Sequence, residues 1–222
     1  MTMSKQIGTG IAIAALLLGT LAARAADLPS PSYKAPVYVC GFSWSGFYVG
    51  INAGYGFATA DWSGPPLVSI KPKGFLAGAT LGYNMQTGNI VWGVEADLDL
   101  STIKGSDSTI CGTPGCETKL TWLGTGRGRI GYAFDRWLPY VTGGVAYGSL
   151  KNSGYDGSET KSKLGWTLGA GVEYALMSSW SVKAEYLYVD LGTVTCTTCF
   201  TGAPQDIKFK ANIARLGVNY RF

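Results

Sequence analysis

The 222-residue chain carries 18 Lys and Arg against 14 Asp and Glu and has no histidine. This small basic excess does not describe a nucleic-acid surface, and the missing imidazole removes the side chain most used for proton transfer near neutral pH. Glycine is abundant at 32 residues, which suits strands lining a space too narrow for side chains.

The chain opens on a secretory pattern. Lys5 supplies a positive start, Ile7 to Leu21 an apolar run, and Ala23-Arg24-Ala25 the small-x-small cleavage rule. The expectation is a signal peptide over 1–25, cleaved near Ala25. The apolar run is short, broken by glycines and followed at once by the cleavage pattern, which argues against a membrane anchor. Loss of 1–25 takes Lys5 and Arg24 with it and leaves 197 residues at net +2. Residues 26–42, with Pro29, Pro31 and Pro36, read as a flexible periplasmic lead-in, and 43–222 as the folded domain.

From Ser45 onward, apolar residues alternate with glycine or polar ones in eight segments. The first puts Phe47, Val49, Ile51, Ala53, Tyr55 and Phe57 on one face. The second, near 74–85, does so with Phe75, Ala77, Ala79, Leu81, Tyr83 and Met85. The third sets Ile90 to Leu100 against Glu95, Asp97 and Asp99. The fourth sets Leu120, Trp122, Ile130 and Tyr132 against Thr121, Thr125, Arg127 and Arg129. The fifth, about 137–147, turns Val141, Val145 and Tyr147 outward. The sixth sets Trp166, Leu168, Ala170 and Val172 against Gly169, Gly171 and Glu173. The seventh sets Trp180, Val182, Ala184, Tyr186 and Tyr188 against Ser181, Lys183 and Glu185. The eighth ends Leu216, Val218, Tyr220, Phe222, and its apolar phase slips near Asn212 to Ala214, where a bulge is expected. Short turns at 87–89, 133–136 and 177–179 alternate with long segments at 58–72, 103–118, 149–162 and 191–206, which read as loops.

This pattern predicts an all-β, eight-stranded, antiparallel, up-and-down transmembrane β-barrel in an outer membrane, with the long loops outside the cell. Aromatics test the register. Phe47, Tyr83, Trp92, Tyr132, Trp137 and Trp180 lie at one end, and Phe57, Phe75, Trp122, Tyr147, Trp166 and Tyr188 at the other, around an aliphatic band. Tyr220 and Phe222 read as a C-terminal assembly signal. The competing pattern is a soluble, lipocalin-like barrel with the apolar face inward. The girdles, the glycine-rich polar face and Phe222 favour the membrane.

Trp44-Ser45-Gly46-Phe47-Tyr48-Val49-Gly50 followed by Asn52-Ala53-Gly54-Tyr55-Gly56 resembles the opening strand of the small outer-membrane porin-family proteins of alphaproteobacteria. Residues 127–133 (RGRIGYA), 138–144 (LPYVTGG), 183–192 (KAEYLYVDLG) and the close 215–222 (RLGVNYRF) resemble it too. The resemblance implies a barrel of the OmpA membrane-domain type, and members that are surface antigens and envelope components, some described as pores and some as haemin binders.

Ten inward charges stand out: Glu95, Asp97, Asp99, Glu173 and Glu185 against Arg127, Arg129, Lys183, Arg215 and Arg221. Burial makes such charges costly unless paired. They read first as a salt-bridge plug and second as a charged constriction with narrow porin activity for small solutes. Cys111 and Cys116, and Cys196 and Cys199, fall in two of the loops, where export favours disulfides; local pairing is the simplest of three connectivities, and Cys40 is left odd. No metal or cofactor site is called for, and an enzyme is not expected, since lumen carboxylates held by arginines make poor acid–base pairs. A haemin- or other ligand-binding surface protein is the alternative, with Tyr155 or a free loop cysteine as the available ligand. Expected partners are outer-membrane lipid and lipopolysaccharide, with barrel-assembly machinery and periplasmic chaperones during biogenesis. A monomer is the expected state, an oligomer is left open, and nucleic acid is no partner.

Overall fold

The structure, a computed structural model, describes residues 42–63, 67–107, 116–154, 157–197, 199 and 204–222. The signal expectation and the lead-in up to residue 41, with Cys40, Cys111 and Tyr155, lie outside these residues.

The strands are β1 (Gly46–Ser63), β2 (Val68–Ile70), β3 (Lys73–Thr87), β4 (Ile90–Ser101), β5 (Lys104–Asp107), β6 (Cys116–Tyr132), β7 (Trp137–Ser153), β8 (Ser158–Ala175), β9 (Trp180–Cys196) and β10 (Gln205–Arg221). Each long strand pairs antiparallel with its neighbours, and β1 pairs both β3 and β10, so the sheet closes. Eight long strands make the barrel wall; β2 folds back on β1, and β5 extends the wall between β3 and β6. No helix occurs among the described residues. Closure matters because a strand edge in lipid would leave backbone groups without partners.

The strands run much further than their apolar pattern. β1 and β8 are 18 residues long, whereas crossing a bilayer takes about 9–11 tilted residues. The described parts of 58–72, 103–118, 149–162 and 191–206 are therefore mostly ladder rather than loop. β1 stays paired with β10 up to Ser63 opposite Asp206, and β7 with β8 up to Ser153 opposite Ser158. The sequence pattern hid this because polarity inverts along strands such as β1, β9 and β10. Leu216 of β10 is 68% exposed, while Ile213, three residues further up, is 1% exposed. Above the second aromatic girdle the apolar residues turn inward and the polar ones outward.

That inversion corrects the expected bulge at Asn212 to Ala214. Those residues pair regularly with Tyr188 to Tyr186. The register shift lies between Phe209 and Lys210, opposite Leu191 and Gly192. Gly192 has φ +69°, and its N–H donates to Asp190 Oδ1 at 2.8 Å, which fixes a glycine bulge there. A second shift skips Thr121, whose hydroxyl donates to Ser149 O at 2.9 Å. It flips the phase of β6, so Leu120, read as outward, is buried inside. Val141, Val145 and Tyr147 do face outward.

Candidate functional site: a filled lumen

Three layers of side chains fill the barrel. The lowest lies at the end where the two described termini meet. Trp44 is buried there with Val91, Ala133, Leu138 and Ala175. Its backbone N–H donates to Gln86 Oε1 at 2.7 Å. Arg221 lies over the Phe42 ring at 4.1 Å and the Trp44 ring at 5.8 Å, and donates to Ser178 O at 2.7 Å. This corrects its expected place in the charge network: among the described residues it forms no ion pair, because β10 ends at the rim and Arg221 caps the Trp44 layer instead.

The middle layer holds the other nine charges, five acids and four bases, all buried. They come from β4, β6, β8, β9 and β10, because alternate residues of each strand point at one shared axis. Arg127 donates to Glu185 and Asp97 at 2.6 Å each, and also contacts Glu95. Arg215 reaches Glu185 at 2.7 Å, Asp97 at 3.1 Å and Asp99 at 3.2 Å. Arg129 reaches Glu173 at 2.8 Å and Glu95 at 3.4 Å, and Lys183 reaches Glu95 at 2.9 Å. Every one of these charges has an opposite charge in hydrogen-bond range or close to it, which is the condition for tolerating them inside.

Neutral groups complete the layer. Tyr48 donates to Glu95 at 2.7 Å; Thr80 and Thr125 donate to Asp97 at 2.7 and 2.9 Å; Ser181 and Asn219 donate to Glu173 at 2.5 and 2.9 Å. The Tyr140 ring lies 4.6 Å from the Arg129 guanidinium carbon. Sequence reasoning placed Tyr48 and Ser181 on the inner face without giving them a role. The signal was available: an aromatic facing inward needs room, and Gly82 supplies it on the neighbouring strand. A Cβ on Gly82 would overlap the Tyr48 ring, and one on Gly171 would lie 2.7 Å from Tyr140 Oη. Part of the glycine excess thus makes room for lumen tyrosines.

The upper layer is apolar and was not foreseen. Ala60, Trp62, Ile103, Leu120, Leu123, Leu150, Leu191, Ile207 and Phe209 are among its buried members. It fills the sleeve that the strands form beyond the second girdle. Cys196 and Cys199 are disulfide-bonded, with Cα atoms 5.7 Å apart, and both are buried in this layer. Cys116 is also buried there and disulfide-bonded, to a partner outside the described residues.

Outside, the belt between the girdles is apolar and exposed: Ile51, Leu98, Leu164 and Leu216 are all more than half accessible. Aromatic pairs rim it, such as Phe47 with Tyr83 at 4.6 Å below and Trp122 with Tyr147 at 5.4 Å above. Tyr220 packs on Trp180 at 5.0 Å, and the Phe222 N–H donates to Phe47 O at 3.0 Å, which ties the last residue to β1.

The sequence matches the family described as outer membrane protein beta-barrel domain over residues 13–222. It is 41% identical to the 31 kDa outer-membrane immunogenic protein of Brucella melitensis, over 90% of this chain and 93% of that one. It is 37% identical to the 25 kDa outer-membrane immunogenic protein of Brucella abortus, over 96% of each. Among solved structures it is similar to Neisserial surface protein A, at 19% identity and a TM-score of 0.47, over 80% of this chain and 98% of that one. The chain belongs to the outer-membrane protein beta-barrel family.

Proposed function

We propose that this protein is a non-conducting barrel with a structural and surface-presenting role. What supports the reading is the filling of the lumen: the Trp44 layer, the paired charges and the apolar layer follow one another along the axis. Small-solute passage through the charges would require all three to part. The upper layer also makes the sleeve a folded body with its own core, able to hold loops clear of the membrane in fixed relation to one another. The Brucella relatives are named as immunogenic proteins, and a rigid protrusion is a favourable antigen. The test is labelling of intact cells with antibodies raised against residues 149–162. Labelling without permeabilisation is expected; labelling only after permeabilisation would end the presenting role.

Haemin binding gains nothing from the lumen, and the thiols of Cys116, Cys196 and Cys199 are taken up in disulfides. A Soret shift on adding haemin to the folded protein would revive it. No enzymatic role is proposed, since the lumen carboxylates are held by guanidinium or ammonium groups.

A further inference from the structure

Lysines on the outer face of the sleeve are unevenly placed. Lys73 of β3 is directly opposite Lys104 of β5, Lys104 is directly opposite Lys119 of β6, and Lys119 is directly opposite Lys151 of β7. Their buried chain neighbours, Pro72, Ile103, Leu120 and Leu150, put all four lysines on the outer face. They stand side by side over about 15 Å at the usual strand spacing.

Directly opposed like charges destabilise a sheet. None of the four forms an ion pair among the described residues, where the one ion pair beyond the middle layer joins Lys161 to Glu159. Glu117, two residues from Lys119, is opposite Ser106 and Ser153 rather than a lysine. The other flank is built differently. There Lys208 is opposite Asp61, and Lys210 is opposite Asp190. One flank balances its lysines in register and the other leaves four unbalanced.

The unbalanced row also has a position. Phe57 of the girdle is directly opposite Lys73, so the row starts at the edge of the apolar belt. It then climbs, because strands tilt and directly opposed residues follow the tilt. Tyr147, the girdle residue of β7, lies four residues below Lys151, or about 10 Å of height at ~3.3 Å per residue and ~40° of tilt.

We propose that this row binds the phosphorylated saccharide headgroup of an outer-leaflet glycolipid, with the girdle aromatics against its acyl chains. The climb selects this occupant. A compact headgroup with one phosphate meets only the lowest lysine, whereas a phosphorylated saccharide offers anions at several heights. The proposal rests on the outer-membrane reading, whose failure would show separately as absence of the protein from the outer-membrane fraction.

The test uses protein extracted folded from outer membranes into zwitterionic detergent and titrated with purified lipopolysaccharide, read through tryptophan fluorescence and retention on size exclusion. Folding of each variant is checked by heat-dependent gel shift. The variant K73Q/K104Q/K119Q/K151Q is expected to bind about tenfold or more weakly, wild-type binding is expected to fall with salt, and K208Q/K210Q is expected to match wild type. Equal binding by the fourfold variant, or undiminished binding of dephosphorylated lipopolysaccharide, overturns the proposal. Displacement by inorganic phosphate at matched concentration would assign a free-anion site instead. Tighter, lysine-dependent binding of heparin would assign a soluble polyanion.

Discussion

Replacing Arg127 with alanine removes the cation at the centre of the lumen. Arg127 contacts three carboxylates, Glu95, Asp97 and Glu185. The change leaves five acids facing three bases. Removing one partner of a buried pair costs about 3–5 kcal/mol, and an ordinary charge-assisted hydrogen bond about 1.5–3. The full sum over three contacts is not reached, because Asp97 and Glu185 keep Arg215 at 3.1 and 2.7 Å and Glu95 keeps Lys183 at 2.9 Å. A loss of about 4 kcal/mol is therefore expected. Urea unfolding of the folded protein in vesicles, followed by tryptophan fluorescence, measures it. Arg127→Met, which restores much of the volume, should still lose about 3 kcal/mol, and adding Asp97→Asn should recover part of that by reducing the excess of acids over bases. A loss below about 1 kcal/mol for Arg127→Ala would refute the claim that the middle layer is a mutually dependent network.

Phe209→Ala in the upper layer should cost about 3–4 kcal/mol in the same assay, while Leu216→Ala on the lipid face should cost far less; equal effects would mean the sleeve has no core. Gly82→Val drives a side chain into the Tyr48 ring and should cost about 2 kcal/mol, partly recovered by adding Tyr48→Ala. Removing the Cys196–Cys199 bond as the paired alanine variant should cost at most about 2 kcal/mol, because the closed loop is short; a larger loss would point to packing damage instead. Glu159 lies on the sleeve, above the girdle, where hydrogen bonds from Lys161 and from the Thr197 N–H hold its carboxyl below the usual carboxylate range. A depressed value means that the tie is intact above that range and is lost as pH falls through the folded value. The Thr197 amide shift should therefore titrate at a pH lower than that of a free glutamate, and should not titrate in Glu159→Gln.

The strands through the membrane were legible because period-2 alternation and aromatic girdles are local signals. Trp92, Val94, Leu98 and Leu100 announce a lipid face by themselves. The network was half legible: inward parity picks out Glu95, Arg127 and Arg215, but not which pairs meet across the barrel. Arg221 has the same parity and differs only in height, a property that alternation does not encode. The sleeve was not legible for a more specific reason. In β10 the apolar residues swap faces between Leu216 and Ile213 without any break in the ladder, so a pattern that assumes one apolar face reads the swap as a slip and the remainder as loop. The apolar-inward arrangement weighed for a soluble barrel is the arrangement of that upper half.

Conductance of the folded protein in a planar bilayer, with folding confirmed by the heat-dependent gel shift, bears most directly on the filled lumen. The three stacked layers predict a silent membrane, for the wild type and for Arg127→Ala alike, since the apolar layer survives that change. Reproducible single-channel steps from the wild-type protein would contradict it.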